Sequence, residues 1–538
     1  MKALCVLYGG RLEPEAFEKV LPGGEMPGSN SESAFSLALA AVRRFPGVGK
    51  TVFLGIEGKA YKDLPADVEG VYRPSWTKKV LLEELSRVSA GYDFVYFAWA
   101  DCPLLDPALA GALAERHTRY GAEYSYADGW PYGFAPELLA PGTAGILCKL
   151  LGDDDGPVER DALFAVIQKD INAFDIETEI SPVDLRPYRL ILAADSKRNL
   201  LLLSRLMGAG LKAASEAETF IREKSRLLRT LPAFFGIQVS GGCPQACSLC
   251  PWPLYGKGDG PDDAVTARKD FMSKAAFGEL LDKIAEFAGD GVIDLSLWGE
   301  LSLHPEKTEL IEMVLSRPAL SLLIETSGIG WKPEELKALA RAASAAAPRK
   351  NHMAPLSWIV SLDAHDPGRY KEIRGPGFSE ARSCAKTLLS LFPRDAYVQA
   401  VRVKGFEDDI EQFYRSWKGE ELPPELSAAG RKDGSHIIIQ KYDDFAGALP
   451  KMQASDLSPV KRRPCWHIQR DMNILLDGSI PCCKEDLAAL KGKGLWGNAF
   501  SEDLDLVWER GAAIYQEHCA SQYRGLCADC DEYYTYNF

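Results

Sequence analysis

Three cysteines fall within eight residues of one another: Cys243, Cys247 and Cys250, in the stretch GIQVSGGCPQACSLCPWPLY from Gly236 to Tyr255. Thiolates this close can share one metal centre, and three of them are one ligand short of the four that close a zinc or a 4Fe-4S site. Two readings follow. Either a distant His or Cys completes a zinc knuckle, or one iron of a cluster keeps an open position. The run from Thr230 to Gly256 carries no charged side chain, which suits chemistry that must be kept from water.

Two other groups of residues have chemical potential. Six more cysteines occur from Cys465 onward; Cys465, Gly478 and Cys483 are spaced Cx12Gx4C, and Cys527 with Cys530 makes CxxC. Asp477-Gly478 between apolar runs predicts a hairpin turn that brings Cys465 and Cys483 together. Near the other end, Asp101 in FAWADCPLLDP follows a strand-like run. A carboxylate at the carboxyl end of a sheet strand is placed to hold Mg²⁺ on a nucleotide phosphate, though the same residue type also caps helices and builds turns.

These residues need elements to position them. Up to about residue 210 the chain alternates strand-like runs (Ala3 to Tyr8, Thr51 to Gly55, Phe94 to Ala98) with helix-like ones (Glu32 to Arg44, Lys78 to Val88), an α/β pattern with a mostly parallel sheet. After a charged helix-prone linker at 213–230, a βα repeat sets in, with strand candidates Phe234 to Ser240, Ile293 to Trp298, Ser321 to Glu325, Trp358 to Asp363, Val398 to Val403 and His436 to Gln440. Six such units predict a partial (β/α)6 TIM-type barrel whose chemistry lies at the carboxyl ends of its strands. The expected organisation is an α/β domain at 1–212, the linker, a barrel at 231–450 and a small Cys-rich domain at 451–538.

With the elements in place, the motifs carry a resemblance. The CxxxCxxC array after a first strand resembles the signature of the radical S-adenosylmethionine (SAM) superfamily, whose open iron takes the amino and carboxylate groups of SAM. WGE after the second strand, ETSGIGW after the third and WIVSLDAHDPGRYKEIRG at the fourth resemble that family's segments in the same order. The resemblance implies that Gly299 and Glu300, or the backbone beside them, meet the SAM amine, that Ser327 stands where an Asn is usual, and that Ser361 and Asp363 face the ribose. Period-two spacing puts the last two on one strand face; Asp363 as a helix cap is the alternative. Arg402, on the fifth strand, is either a partner of the SAM carboxylate or a surface arginine.

The tail resembles the SPASM domain, which carries auxiliary 4Fe-4S clusters in enzymes acting largely on peptides and proteins. A full SPASM domain holds two clusters, and six cysteines are too few, so one cluster on Cys465, Cys483, Cys527 and Cys530 is expected, with Cys482 or Cys519 as substitutes; a zinc site from the same four is the alternative, for which His467 and His518 are also available ligand types. The front resembles the nucleotide-sugar cytidylyltransferases, which implies Asp101 and Asp195 as Mg²⁺ ligands with a nucleotide. The family's Gly-rich phosphate loop is reduced to Gly9, Gly10 and Arg11, and Asn199 stands where an acid is usual. The order of domains is similar to that of the spiro-SPASM proteins.

The resemblance implies two 4Fe-4S clusters, SAM, an electron donor such as flavodoxin or ferredoxin, and a peptide, protein or sugar-nucleotide substrate from which hydrogen is abstracted. The alternative is a nucleotidyltransferase or nucleotide-binding module whose metal clusters are structural or redox-sensing. The 538 residues suggest about three domains. A formal charge of −14 argues against a sequence-independent nucleic-acid binder. Six apolar residues, Ala3 to Tyr8, are too few for a signal peptide, and prolines interrupt the longest uncharged run, so a cytoplasmic protein without a membrane span is expected.

Overall fold

The computed structural model describes residues 1–18, 20–21, 32–59, 61, 64–256, 265–419, 422–428, 431, 433–455 and 459–535. The chain divides into two units, Met1–Thr230 and Leu231–Phe538. Each is built on its own seven-stranded sheet and packs its own apolar cluster. Among the described residues no helix is long and apolar enough to cross a membrane.

In the first unit Ala3–Tyr8 is an inner strand, flanked in parallel by Val48–Ile56 and by the central strand Phe94–Trp99. All six residues of Ala3–Tyr8 and of Phe94–Trp99 are buried, as the continuous apolar runs of a doubly covered parallel sheet require. Glu137–Leu139 is antiparallel to both its neighbours, Phe94–Trp99 and Tyr124–Asp128. Asp106, with Pro107 behind it, caps the helix Pro107–Tyr120 by accepting from the Ala108 and Leu109 amides at 2.7 and 3.4 Å. The cap is therefore Asp106, which frees Asp101 for other contacts. The stretch expected as a linker belongs to this unit and contains the helix Ala217–Glu223.

The second unit is built around an all-parallel open barrel. Its first six strands are Phe234–Ile237, Gly291–Asp294, Leu320–Thr326, Leu356–Ser361, Ala396–Arg402 and Ile437–Lys441, each beside the next. A seventh, Asp471–Ile474, comes from the cysteine-rich tail and pairs in parallel with the first. Six strands were expected; the seventh hides in a four-residue run just before the Asp477-Gly478 turn. That turn is present: the Leu475 amide donates to Ser479 at 2.8 Å, and Gly478 takes φ +84°. The second strand stops at Asp294, four residues before its apolar run ends at Trp298. Leu295, Leu297 and Trp298 are buried loop residues, and Trp298 itself has φ +41°.

Candidate active site

At the carboxyl ends of the barrel strands lies a cavity of about 330 Å³ whose wall includes Cys243, Cys247, Cys250, Gly299, Glu300, Ser327, Ser361 and Asp363. The cysteine loop leaves the first strand and is fixed by its neighbours. Gly299, at φ +143°, approaches the Ser240 carbonyl so closely that a Cβ would stand 1.9 Å from its oxygen, which only glycine allows. The Glu300 amide then donates to the Gly242 carbonyl at 2.8 Å. Trp252 stacks on Trp298 with ring centroids 6.0 Å apart and donates its indole N–H to the Gly241 carbonyl at 3.2 Å.

Glu300 is buried, and its carboxylate is taken up by the next loop. Thr326 Oγ1 donates to Oε1 at 2.7 Å and the Ser327 amide donates to Oε2 at 2.7 Å. Around the wall a second polar group spans three strands: Ser361 Oγ and Gln399 Nε2 donate to Glu325 Oε1 at 2.6 and 2.7 Å. Beside it Asp294 accepts from the Ser296 amide at 3.0 Å. Burial, with the Glu325 charge adding to it, pushes the Asp294 carboxyl up to about 7.

Asp363 does not extend the strand; the strand ends at Ser361, and Asp363 has φ +60°. Period-two spacing is thus not what brings Ser361 and Asp363 to one wall. Nor is Asp363 a helix cap, because Asp366 takes that place, accepting from the Arg369 amide at 2.9 Å. Asp363 instead accepts from the Val401 amide at 2.9 Å and pairs with Arg374. Arg374 Nε donates to Gln245 Oε1 at 3.1 Å, and that oxygen is 3.8 Å from the Cys247 sulfur. Burial works against the Arg374 charge, and the opposing pull of Cys247 and Asp363 outweighs it. Burial also raises all three thiols, Cys250 to about 12, while Arg374 acts in the opposite sense on Cys247 and Cys250. Arg402 is exposed and is not part of the cavity wall.

Cys465, Cys483, Cys527 and Cys530 line a second, small cavity. Cys482 and Cys519 line neither this cavity nor the larger one. His467 spends both ring nitrogens on protein partners, Asp471 Oδ2 at 2.5 Å and Thr535 Oγ1 at 3.1 Å. His518 faces the small cavity, and its Nδ1 accepts from the Cys465 amide at 3.4 Å. Lys484 lines both cavities and reaches Asp443 and Glu485 at 3.5 Å each and Glu532 at 3.8 Å.

Sequence reasoning did not single out Asp294, Glu325, Gln399 or Lys484, and reached Arg374 only as the arginine of the Arg-Gly pair that ends the fourth-strand segment. A signal was present for three of them. Asp294, Glu325 and Gln399 are lone polar residues in or at the end of buried, apolar strand runs, where an unexplained polar side chain marks a site. In the first unit, Asp101 and Asp195 are brought together as expected, but around Arg160, whose Nη2 lies 2.6 Å from Asp101 Oδ2 and 2.8 Å from Asp195 Oδ2.

No family model matches the chain. An uncharacterized protein of Treponema pallidum (strain Nichols) is 35% identical over 385 residues, which cover 70% of this chain and 98% of that protein. The chain belongs to the same family as that protein. A second uncharacterized Treponema pallidum protein is 27% identical over 148 residues, 26% of this chain and 62% of its own length. Among solved structures, the chain is similar to BtrN in complex with AdoMet and 2-DOIA at 14% identity, 56% of this chain, 94% of that one and a TM-score of 0.35. Streptococcus suis SuiB bound to S-adenosylmethionine gives 14% identity, 60% and 80% coverage and a TM-score of 0.38. A cytidylyltransferase from Leptospira borgpetersenii serovar Hardjo-bovis (strain JB197) gives 13%, 42% and 95%, and 0.32.

Proposed function

We propose that the second unit is a radical SAM enzyme. The observation that carries this reading is the donor set of the larger cavity: three cysteine thiols and, among the residues that line it, no further Cys or His. A zinc knuckle needs a fourth ligand there. Two candidate carboxylates of the wall are spent, Glu300 on Thr326 and Ser327 and Asp363 on Arg374 and Val401. Three soft donors and an open fourth position fit a 4Fe-4S cluster. When bound and reduced, such a cluster supplies the electron that cleaves SAM to methionine and a 5′-deoxyadenosyl radical, which abstracts hydrogen from an unactivated carbon.

The chain's own residues bind, orient and shield. Arg374 sets a fixed positive charge beside Cys247 and favours its thiolate. Glu300 locks the loops after the second and third strands to each other, so that backbone beside Gly299 and Ser327 faces the cavity in one arrangement. Ser361, Gln399 and Glu325 form a fixed polar wall suited to ribose hydroxyls. The Trp252–Trp298 stack closes the cysteine loop from behind. We assign the second cysteine set to one auxiliary 4Fe-4S cluster, the substrate to a peptide, protein or sugar nucleotide, the electron supply to a flavodoxin or ferredoxin, and the protein to the cytoplasm.

The test is anaerobic. The protein is reconstituted with iron and sulfide, iron is counted, and 5′-deoxyadenosine is sought by mass spectrometry after adding dithionite and SAM. About eight irons per chain are expected from two clusters, with deoxyadenosine lost when Cys243, Cys247 and Cys250 are all changed to Ala. Zinc in place of iron, or no SAM cleavage under any reductant, sinks the reading.

A further inference from the structure

The first unit carries the residue types of a metal-dependent nucleotidyltransferase, but its own side chains already fill both positions such an enzyme keeps for its ligand. The first is the metal position. Asp101 follows the strand Phe94–Trp99, Asp195 precedes the helix Lys197–Gly208, and Arg160 precedes the helix Ala162–Ile167. Arg160 Nη2 donates to Asp101 Oδ2 at 2.6 Å and to Asp195 Oδ2 at 2.8 Å, and Nη1 donates to Asp101 Oδ1 at 3.2 Å. The remaining Asp195 oxygen accepts from Asn199 Nδ2 at 2.7 Å. Every carboxylate oxygen of the pair therefore has a nitrogen donor. Mg²⁺ demands oxygens at roughly 2.0–2.1 Å in an octahedron, and a guanidinium bridging the same oxygens excludes it. That guanidinium does not lose its charge, and two rings hold it in place, Trp99 at 4.5 Å and Tyr132 at 5.1 Å from their centroids.

The second is the phosphate position. Arg11, the one basic residue of the Gly9-Gly10-Arg11 turn, donates to the Val158 carbonyl at 2.9 Å and pairs with Glu159 at 2.6 Å. The two glycines are themselves crowded by aromatic side chains. A Cβ on Gly9 would stand 2.4 Å from the Phe53 ring and one on Gly10 would stand 2.5 Å from Trp76. Both closures come from one three-residue segment, Val158 to Arg160.

From this geometry we infer that Val158–Arg160 is an internal plug: Arg160 takes the place of the divalent cation and Glu159 that of the phosphate, so the first unit neither binds Mg²⁺ nor transfers a nucleotide. The inference rests on the first unit alone and stands or falls separately from the radical chemistry proposed for the second.

The test is equilibrium dialysis of the full chain against Mn²⁺, used as the Mg²⁺ probe, with and without CTP. Wild type and Asp101→Asn are expected to bind the same amount of Mn²⁺, and Mg²⁺ is expected to retain no CTP on the wild type. Arg160→Met removes the internal cation, and one additional Mn²⁺ per chain is expected. A wild type that binds one Mn²⁺ more than Asp101→Asn overturns the inference, as does pyrophosphate release from CTP and Mg²⁺ by the wild type. A folded Arg160→Met chain that gains no Mn²⁺ also overturns it, because Arg160 then does not stand in a metal's place. If neither variant folds, CTP retention and pyrophosphate release by the wild type decide alone.

Discussion

At the scale of single residues, three positions of the larger cavity separate positioning from chemistry. Gly299→Ala puts a methyl group 1.9 Å from the Ser240 carbonyl oxygen, so backbone must move. A loss of about 1–3 kcal/mol in stability is expected, as for other strained-backbone substitutions, read as a lower urea midpoint together with less reconstituted iron per chain. Asp294 gives a pH signature. Its folded carboxyl lies at about 7, above its value in an unfolded chain, so the native state holds the extra proton between those two values. The stability this contributes is present in acid and lost as pH rises toward 7. The urea midpoint of the wild type should therefore fall between pH 4 and 7 relative to that of Asp294→Asn; parallel profiles would refute the assignment. Arg374→Met leaves Asp363 buried without its ion partner, and breaking such a pair costs about 3–5 kcal/mol. Its cluster, if formed, should also be held more weakly at Cys247, seen as faster iron loss to a chelator.

At the scale of elements, the barrel and its cysteine loop were legible because parallel strands buried on both faces write long apolar runs, and the motifs punctuate their ends. Where the run outlasts the strand, the reading slipped. Leu295, Leu297 and Trp298 are apolar because the loop is buried, not because it is paired. Residues whose role is to meet each other were not legible: Arg374 lies eleven positions from Asp363 and 129 from Gln245, and no local pattern encodes such a meeting. The seventh strand was missed for a related reason, since its partner Phe234–Ile237 comes before the other five strands in the sequence. It carries a prediction. A chain ended at residue 458 loses Asp471–Ile474 and leaves Phe234–Ile237 an open edge beside the cysteine loop, a template for pairing with other chains. It is expected to aggregate on size-exclusion chromatography, whereas a dispensable tail would leave a monodisperse barrel.

At the scale of the whole molecule, the apolar cluster of the first unit draws on residues between Ala3 and Leu228, and the large one of the second on residues between Phe235 and Tyr533. Among the described residues no strand is shared between the two large sheets. A fragment of residues 1–230 is therefore expected to fold alone, with one cooperative calorimetric transition that reappears at a similar temperature in the full chain. The seventh barrel strand also sets a timetable for synthesis. Ile237 pairs with Ile474, so roughly 240 residues must leave the ribosome after the first strand before its outer edge is covered, some 10 to 50 s at about 5–20 residues per second. Cys243, Cys247 and Cys250 emerge at the start of that interval and Cys465 near its end. A nascent chain thus presents Cys243, Cys247 and Cys250 long before the cysteines of the tail, and the barrel cannot close over the first set until the tail has followed.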